Sequence, residues 1–148
     1  MDEDKKLIEA KRWHVEKLIK ETINAINRNN MEGIYAKDRE EALNEILKRI
    51  PPNATVSHGG SYTLQEVGID EILRKAEYRY LRREIATNEK EEHDIHIKGF
   101  SSDVYLTSVN AITRAGELIA LDGFGNRVAC LLFGPQKISQ WNWPFCCS

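Results

Sequence analysis

The chain of 148 residues predicts an α/β fold: a mostly parallel sheet with flanking helices. Three observations predict it. Short apolar runs that read as buried strands alternate with segments of helical period. Capping residues, glycines and prolines punctuate the helical segments. Polar, glycine-bearing loops stand at the ends of the apolar runs. Alternation of this kind gives parallel strands joined by right-handed crossovers.

The elements follow in order. Residues 4–28 predict a helix, because Ile8, Val15, Leu18, Ile19, Ile23 and Ile26 recur at steps of three, four or seven and make one apolar stripe. Asn29-Asn30 ends it, and residues 33–36 read as a short strand. Asp38, three before Glu41, resembles a capping box. Ala42, Leu43, Ile46, Leu47 and Ile50 carry the next helix, which Pro51-Pro52 stops. Residues 54–57 predict a short buried strand, and a helix follows from about Leu64 with Thr63 and Glu66 as a capping pair. Gly68 breaks that helix, and Asp70 caps its second part, which carries Ile72 and Leu73. Residues 78–81 read as a strand, 88–98 as a helix and 104–107 as a strand. Residues 111–121 form a hairpin around Arg114-Ala115-Gly116. Residues 126–133 form a last helix, with Gly134 at its C-terminal cap and Pro135 just beyond.

Composition excludes several classes of function. The chain is 41% hydrophobic and 30% charged, long enough for one domain with a real core. Its net charge is -2, with Lys and Arg interleaved among Asp and Glu and no basic stripe, which argues against nucleic acid as a partner. The N-terminus, MDEDKKLIEAKRW, has no apolar core of signal-peptide length. No apolar run approaches the ~20 residues of a membrane helix, so a cytoplasmic chain without a membrane partner is expected. The three cysteines, Cys130, Cys146 and Cys147, make neither a Cys-x-x-Cys spacing nor an even disulfide framework. Cys130 falls in an apolar helix, the usual setting of a buried inert thiol.

Two loops carry most of the chemistry. VSHGGSYT, residues 56–63, is a strand, a glycine-rich loop and a helix start. Backbone N–H groups of Gly59, Gly60 and Ser61 can approach an anion there, the hydroxyls of Ser61 and Thr63 can contact it, and the helix dipole adds attraction. Read alone, one Gly-Gly-Ser is a tight turn with an N-cap, and it is neither a Walker motif nor a dinucleotide fingerprint. DGFGNR, Asp122, Gly123, Phe124, Gly125, Asn126 and Arg127, is a second glycine-bearing loop before a helix. Asn126 reads as its N-cap, and Arg127 either pairs with a carboxylate or phosphate or lies in solvent. Ser108-Val109-Asn110 is a third polar element at a strand end. Such loops, in an open α/β sheet, are where a ligand sits, and a shared anionic ligand is expected.

The nearest acids are Asp103, Glu117 and Asp122, each a general base if partly buried and otherwise a cap or a solvated charge. His93 and His96 stand three apart on a predicted helix without a third ligand, so no metal site is expected, and His14 reads as a surface residue. His58, inside the glycine-rich loop, could donate to a ligand. No Gly-x-Ser-x-Gly elbow is present.

SDVYLTSVNAITRAGELIALDGFGNRVACLLFGPQKI resembles the signature of the LUD domain, the lactate utilization family. VSHGGSYTLQEVGI resembles the same family's Gly-Gly-Ser loop and following helix, and the N-terminal helix and EALNEILKRIPPNATV also fit. The resemblance implies a fold similar to ribose-phosphate isomerase, glucosamine-phosphate deaminase and the CoA transferases. It implies a LUD domain over residues 4–138, incomplete at its C-terminus, and an atypical tail over 139–148. The family that it resembles includes lactate utilization proteins that work with iron–sulfur partner subunits to oxidise lactate to pyruvate. The expected role is therefore an accessory subunit that binds a small anionic metabolite, with no cofactor of its own and iron–sulfur clusters on its partners. The expected ligand-binding residues are Gly59, Gly60, Ser61, Thr63, Asn110, Asp122, Gly123, Gly125, Asn126 and Arg127.

Two alternatives stand beside it: an enzyme acting on an acyl, CoA or sugar-phosphate substrate, and a non-functional truncated copy. Related sugar-phosphate isomerases carry an acid near the end of the strand that corresponds to Val104–Thr107. Here Asn110 is the nearest equivalent and cannot act as a base, which weakens the isomerase reading. Ala115 replaces the family's acidic residue or Asn before the hairpin glycine, a change of turn chemistry. The tail SQWNWPFCCS has no strand alternation and contains Pro144, so residues 139–148 are not expected to form a central strand. An uncovered sheet edge then predicts self-association.

Overall fold

A computed structural model describes residues 2–75 and 78–140. Along the chain run α1 (Asp2–Arg28), α2 (Arg39–Lys48), β1 (Thr55–His58), α3 (Tyr62–Val67), α4 (Ile69–Lys75), β2 (Arg79–Tyr80), a 3-10 turn (Arg83–Ile85), α5 (Glu89–Phe100), β3 (Val104–Thr107), β4 (Ala111–Ile112), β5 (Leu118–Ile119), α6 (Asn126–Leu132) and β6 (Lys137–Gln140). They divide into two units. Of the described residues, one unit holds 2–35 together with 110–119; the other holds 36–109 and 120–140.

The second unit is the α/β domain. Its sheet has the order β2-β1-β3-β6, every neighbouring pair parallel. Val56 pairs with Tyr80 on one side and Val104 on the other, and Tyr105 pairs with Ile138. All four residues of β3 are buried, as an apolar run between two neighbouring strands requires. Val56, Val104 and Leu106 face Ala42 and Ile46 of α2, Leu64 of α3, and Ile69 and Leu73 of α4. This is the main core. Ser57 and Tyr105 point to the other face, where α5 and α6 lie. Gly99 lets α5 come close: a methyl group there would stand 2.7 Å from Ser57 Oγ.

Local chemistry sets the helix starts. Asp38 caps α2, its Oδ1 accepting from Glu41 N at 2.9 Å, while Glu41 Oε2 accepts from Lys37 N at 2.7 Å. Asn88 caps α5 in the same way, accepting from Glu91 N at 2.9 Å. Ser61, not Thr63, caps α3 by accepting from Leu64 N. Gly68, at φ 76, ends α3, and Asp70 then lies within the first turn of α4 rather than at its cap.

Two further expectations are corrected. Residues 33–36 form no strand: Ile34 and Tyr35 are β-prone, but no strand among the described residues reaches them, and the Gly33 N–H is taken by Asn27 Oδ1 at 2.8 Å. Ser139 and Gln140, read as a non-strand tail, belong to β6, with Leu106 opposite Ser139 and Thr107 opposite Gln140. The free side of β3 offers a full hydrogen-bonding row, and Ile138 with its neighbours takes it. Residues 141–148, the rest of that tail, lie outside the described residues.

In the first unit, β4 and β5 form the expected hairpin. It packs on the end of α1: Asn29 Nδ2 donates to Ala115 O at 3.0 Å, and Gly116, at φ 79, lies directly against Ala25 and Ile26. Of the α1 stripe, Leu18, Ile19, Ile23 and Ile26 are half-buried beside the buried Thr22 and Ala25, and Ile8 and Val15 are exposed.

Candidate functional site

Topology creates the crevice. The chain leaves β1 towards β2 on one side, and leaves β3 towards β6 on the other. Their loops diverge at the carboxyl ends of the two strands, where open α/β sheets bind ligands. Gly59-Gly60 follows β1, Leu81-Arg82-Arg83 follows β2, and Ser108 follows β3.

The loop of residues 122–127 reaches the same edge. A methyl group on Gly59 would stand 3.0 Å from Tyr105 Oη, 3.2 Å from Thr107 Oγ1 and 3.3 Å from Arg127 Cδ. One on Gly60 would stand 3.3 Å from Arg83 Nη2 and 3.7 Å from Nη1. The glycine pair is therefore flanked by two arginines, Arg127 along Gly59 and Arg83 beside Gly60. The Gly59 N–H continues the ladder to Leu106 O at 3.0 Å, whereas the Gly60 N–H has no acceptor among the described residues.

Several expected site residues hold the loops together. Asp122 Oδ2 accepts from Arg127 N at 2.7 Å and Val128 N at 3.1 Å, so it takes the capping role expected of Asn126. Gly125, at φ 80, precedes the helix, and Asn126 Nδ2 instead meets His96 Nδ1 at 3.0 Å. Arg127 does not lie free in solvent: its guanidinium donates to the carbonyls of Ser108 and Leu121. Gly123 has no neighbouring atom within 4 Å of its missing methyl position. Ser61 is buried as the α3 cap, and Thr63 lies in the first turn of that helix. Asn110 belongs to the other unit, where its N–H donates to Ile119 O at 2.9 Å.

Of the other acids, Asp103 sits at the amino end of β3, where it accepts from Thr55 N at 2.7 Å. Glu117 lies in the hairpin with Thr113. Asp103 is thus at the opposite end of β3 from the crevice, and Glu117 belongs to the first unit. His58 does not reach outward to donate to a ligand. Its Nδ1 meets Gly59 O at 2.8 Å, and its Nε2 meets Tyr80 Oη and lies 3.3 Å from Asp70 Oδ1 and 3.9 Å from Glu84 Oε1. Tyr80 Oη also donates to Asp70 Oδ1 at 2.8 Å. Burial, and then Asp70, push the Tyr80 hydroxyl well above the usual tyrosine range.

On the other face Tyr105 is hydrogen-bonded to the Cys130 thiol. Burial raises both groups above their ordinary values; the Tyr105 hydrogen bond opposes part of the rise at Cys130. Cys130 is thus the inert buried thiol its helix predicted. A surface cleft of about 400 Å³ adjoins Arg83, lined also by Glu84, Thr87, Asn88, Glu89 and Glu92. Among the described residues no group of three or more His, Cys, Asp or Glu is placed to hold a metal.

Sequence reasoning missed Arg83, Glu84 and the His58–Tyr80–Asp70 network. The signal for Arg83 was its place immediately after a predicted strand, at the carboxyl edge where ligands bind.

The fold and site define an α/β protein with a parallel sheet and a glycine-pair crevice at its carboxyl edge. A family model for the LUD domain matches residues 19–138, and the chain belongs to that family. No curated protein and no solved structure matches it. No helix among the described residues is long and apolar enough to cross a membrane.

Proposed function

We propose that the chain binds a small anionic metabolite at Gly59-Gly60, as an accessory LUD-domain subunit in the oxidation of lactate to pyruvate. The observation that carries the binding step is the pair of arginines on the two flanks of the glycines. Gly60 is exposed and has no Cβ, so an anion can approach its backbone, and a guanidinium offers paired donors to a carboxylate or phosphate. Asp122, Gly123, Gly125 and Asn126 shape the loop that carries Arg127, and Ser61 and Thr63 complete the β1 side. The lactate context rests on family membership, and it brings with it iron–sulfur partner subunits and a fold like that of the CoA transferases and sugar-phosphate isomerases. Titration with lactate, pyruvate and inorganic phosphate tests the reading. Wild-type protein binds at least one of them, and Arg83→Gln weakens binding about tenfold. No binding by the wild type defeats it.

A second reading, an enzyme on an acyl, CoA or sugar-phosphate substrate, is favoured by one observation. The Glu84 carboxylate lies 3.8 Å from Arg83 Nε and lines the cleft that adjoins this arginine. An acid there could move a proton on a bound anion. Turnover of an acyl-CoA or sugar phosphate that Glu84→Gln abolishes, with binding retained, supports it; no turnover across such a panel removes it.

A further inference from the structure

The hydrogen bonds around His58 admit few arrangements of protons. Gly59 O is a carbonyl and can only accept, so His58 Nδ1 carries a hydrogen. The Tyr80 hydroxyl has one proton and two neighbours, His58 Nε2 and Asp70 Oδ1 at 2.8 Å. When that proton goes to the Asp70 carboxylate, the Nε2 facing the phenol oxygen must be a donor too. When it goes to Nε2, the Asp70 oxygen meets a phenol oxygen with no hydrogen between them unless Asp70 is itself protonated. Each consistent arrangement holds one proton more than a neutral imidazole, a phenol and a carboxylate.

The charges decide where that proton sits. Asp70 from α4 and Glu84 from the 3-10 turn both face Nε2, at 3.3 and 3.9 Å. Arg74 of α4 acts on the Tyr80 side of the group, and Arg83 is turned towards Gly60. With a hydrogen on both Nδ1 and Nε2, the ring meets the Gly59 carbonyl, the phenol oxygen and the nearby carboxylates with donors only; with a bare Nε2 a lone pair would face the Asp70 oxygen.

The backbone consequence concerns the crevice. No peptide bond in the described chain is cis. In a planar trans peptide the C=O and the following N–H point opposite ways. By holding Gly59 O, His58 turns the Gly60 N–H away from itself, and no described group accepts from it. His58 is largely buried, its side chain 7% exposed, so it does not itself meet a ligand.

We propose that His58 is a positioning residue of the anion site: doubly protonated through Tyr80 and Asp70, it grips the Gly59 carbonyl and presents the Gly60 N–H to the ligand beside Arg83. This rests on the anion-site reading given above and names the backbone donor of that site. The recognised group is an anionic oxygen, of a phosphate or a carboxylate, that accepts from one amide and one guanidinium together.

Nitrogen-15 NMR of the imidazole and the Gly60 amide tests it on the full chain. In ligand-free wild type both His58 ring nitrogens carry hydrogen; in Asp70→Asn the ring is neutral. Inorganic phosphate shifts the Gly60 amide in wild type, and Asp70→Asn weakens that response about tenfold. Arg83→Gln also weakens binding but leaves the ring doubly protonated. A neutral His58 in wild type overturns the proposal, as does a Gly60 response of equal affinity in Asp70→Asn. If wild type responds to none of phosphate, pyruvate or lactate, the anion-site reading falls and the proposal with it. A wild-type response with a neutral ring removes the proposal alone.

Discussion

Gly59 is where the crevice is tightest, so the smallest side chain tests its construction. A methyl group there meets Tyr105 Oη at 3.0 Å, Thr107 Oγ1 at 3.2 Å and Arg127 Cδ at 3.3 Å. Tyr105 and Thr107 are buried and cannot retreat freely. Gly59→Ala is expected to destabilise the fold by about 1–3 kcal/mol. Gly123→Ala, with nothing within 4 Å, should stay within about 0.5 kcal/mol of wild type. Urea unfolding of the two variants measures the contrast, and equal midpoints would contradict it. A pH effect belongs to the same residues. Tyr80, Tyr105 and Cys130 all have raised values, by burial first in each case. They hold their protons more tightly folded than unfolded. Their contribution is therefore complete below the unfolded values and is lost as pH climbs above them. Stability should begin to fall near the ordinary cysteine value of 9.0 and steepen beyond the tyrosine value of 10.0. Cys130→Ala should flatten the first part of that decline; urea midpoints that do not move between pH 8 and 11 would refute it. The glycine pair was legible at this scale because it is a local pattern. Arg83 was not, since an arginine in a charged stretch gains meaning only when a neighbouring strand carries it to Gly60.

Strands and helices were the most legible level, and the misreadings share one cause. Buried β3 stands out as an apolar run, and Asp38 caps the helix it precedes. The segment 33–36 has strand composition without a partner among the described residues, and the Ile138 region has a partner without clear strand composition. Pairing is decided by what lies alongside, which a local pattern does not contain. The same holds for the seat of α5 on the sheet. A methyl on Gly99 would stand 2.7 Å from Ser57 Oγ and 3.4 Å from Ser57 Cβ, so the hydroxyl is the main obstacle. Gly99→Ala should cost about 1–3 kcal/mol, and Ser57→Ala should recover part of it in the double variant. A strictly additive double-mutant cycle would show that α5 is not held by this contact. At α6, Asp122→Ala removes the acceptor of two N–H groups, at 2.7 and 3.1 Å. Loss of such a cap costs about 1 kcal/mol, read as a lower thermal midpoint; an unchanged midpoint would show that another group caps α6.

Across the whole molecule, burial is uneven in a way the helical stripe of α1 conceals. Every residue of β3 is buried, and both β1 and β3 are paired on each side, whereas β2 has two residues and β6 has one described neighbour. In α1, Thr22 and Ala25 are buried, but Ile8 is 66% and Val15 37% exposed, although periodicity puts all of them on one side of the helix. The match to the LUD family begins at residue 19, near where that burial begins. Periodicity establishes that such a helix can bury a face; it does not say how many turns have something to bury it against. Helices stripped of tertiary cover open at little cost, because packing rather than propensity supplies most helical stability in proteins. Amide hydrogen exchange at low protein concentration should therefore rank the chain. Peptides spanning 104–107 and 55–58 should exchange slowest, and residues 3–17 should exchange fastest within α1, well ahead of 22–26. Protection over 3–17 equal to that of β3 would sink this ordering. Protection that appears only as concentration rises would identify a second copy of the chain on Ile8 and Val15, the self-association that an uncovered apolar surface favours.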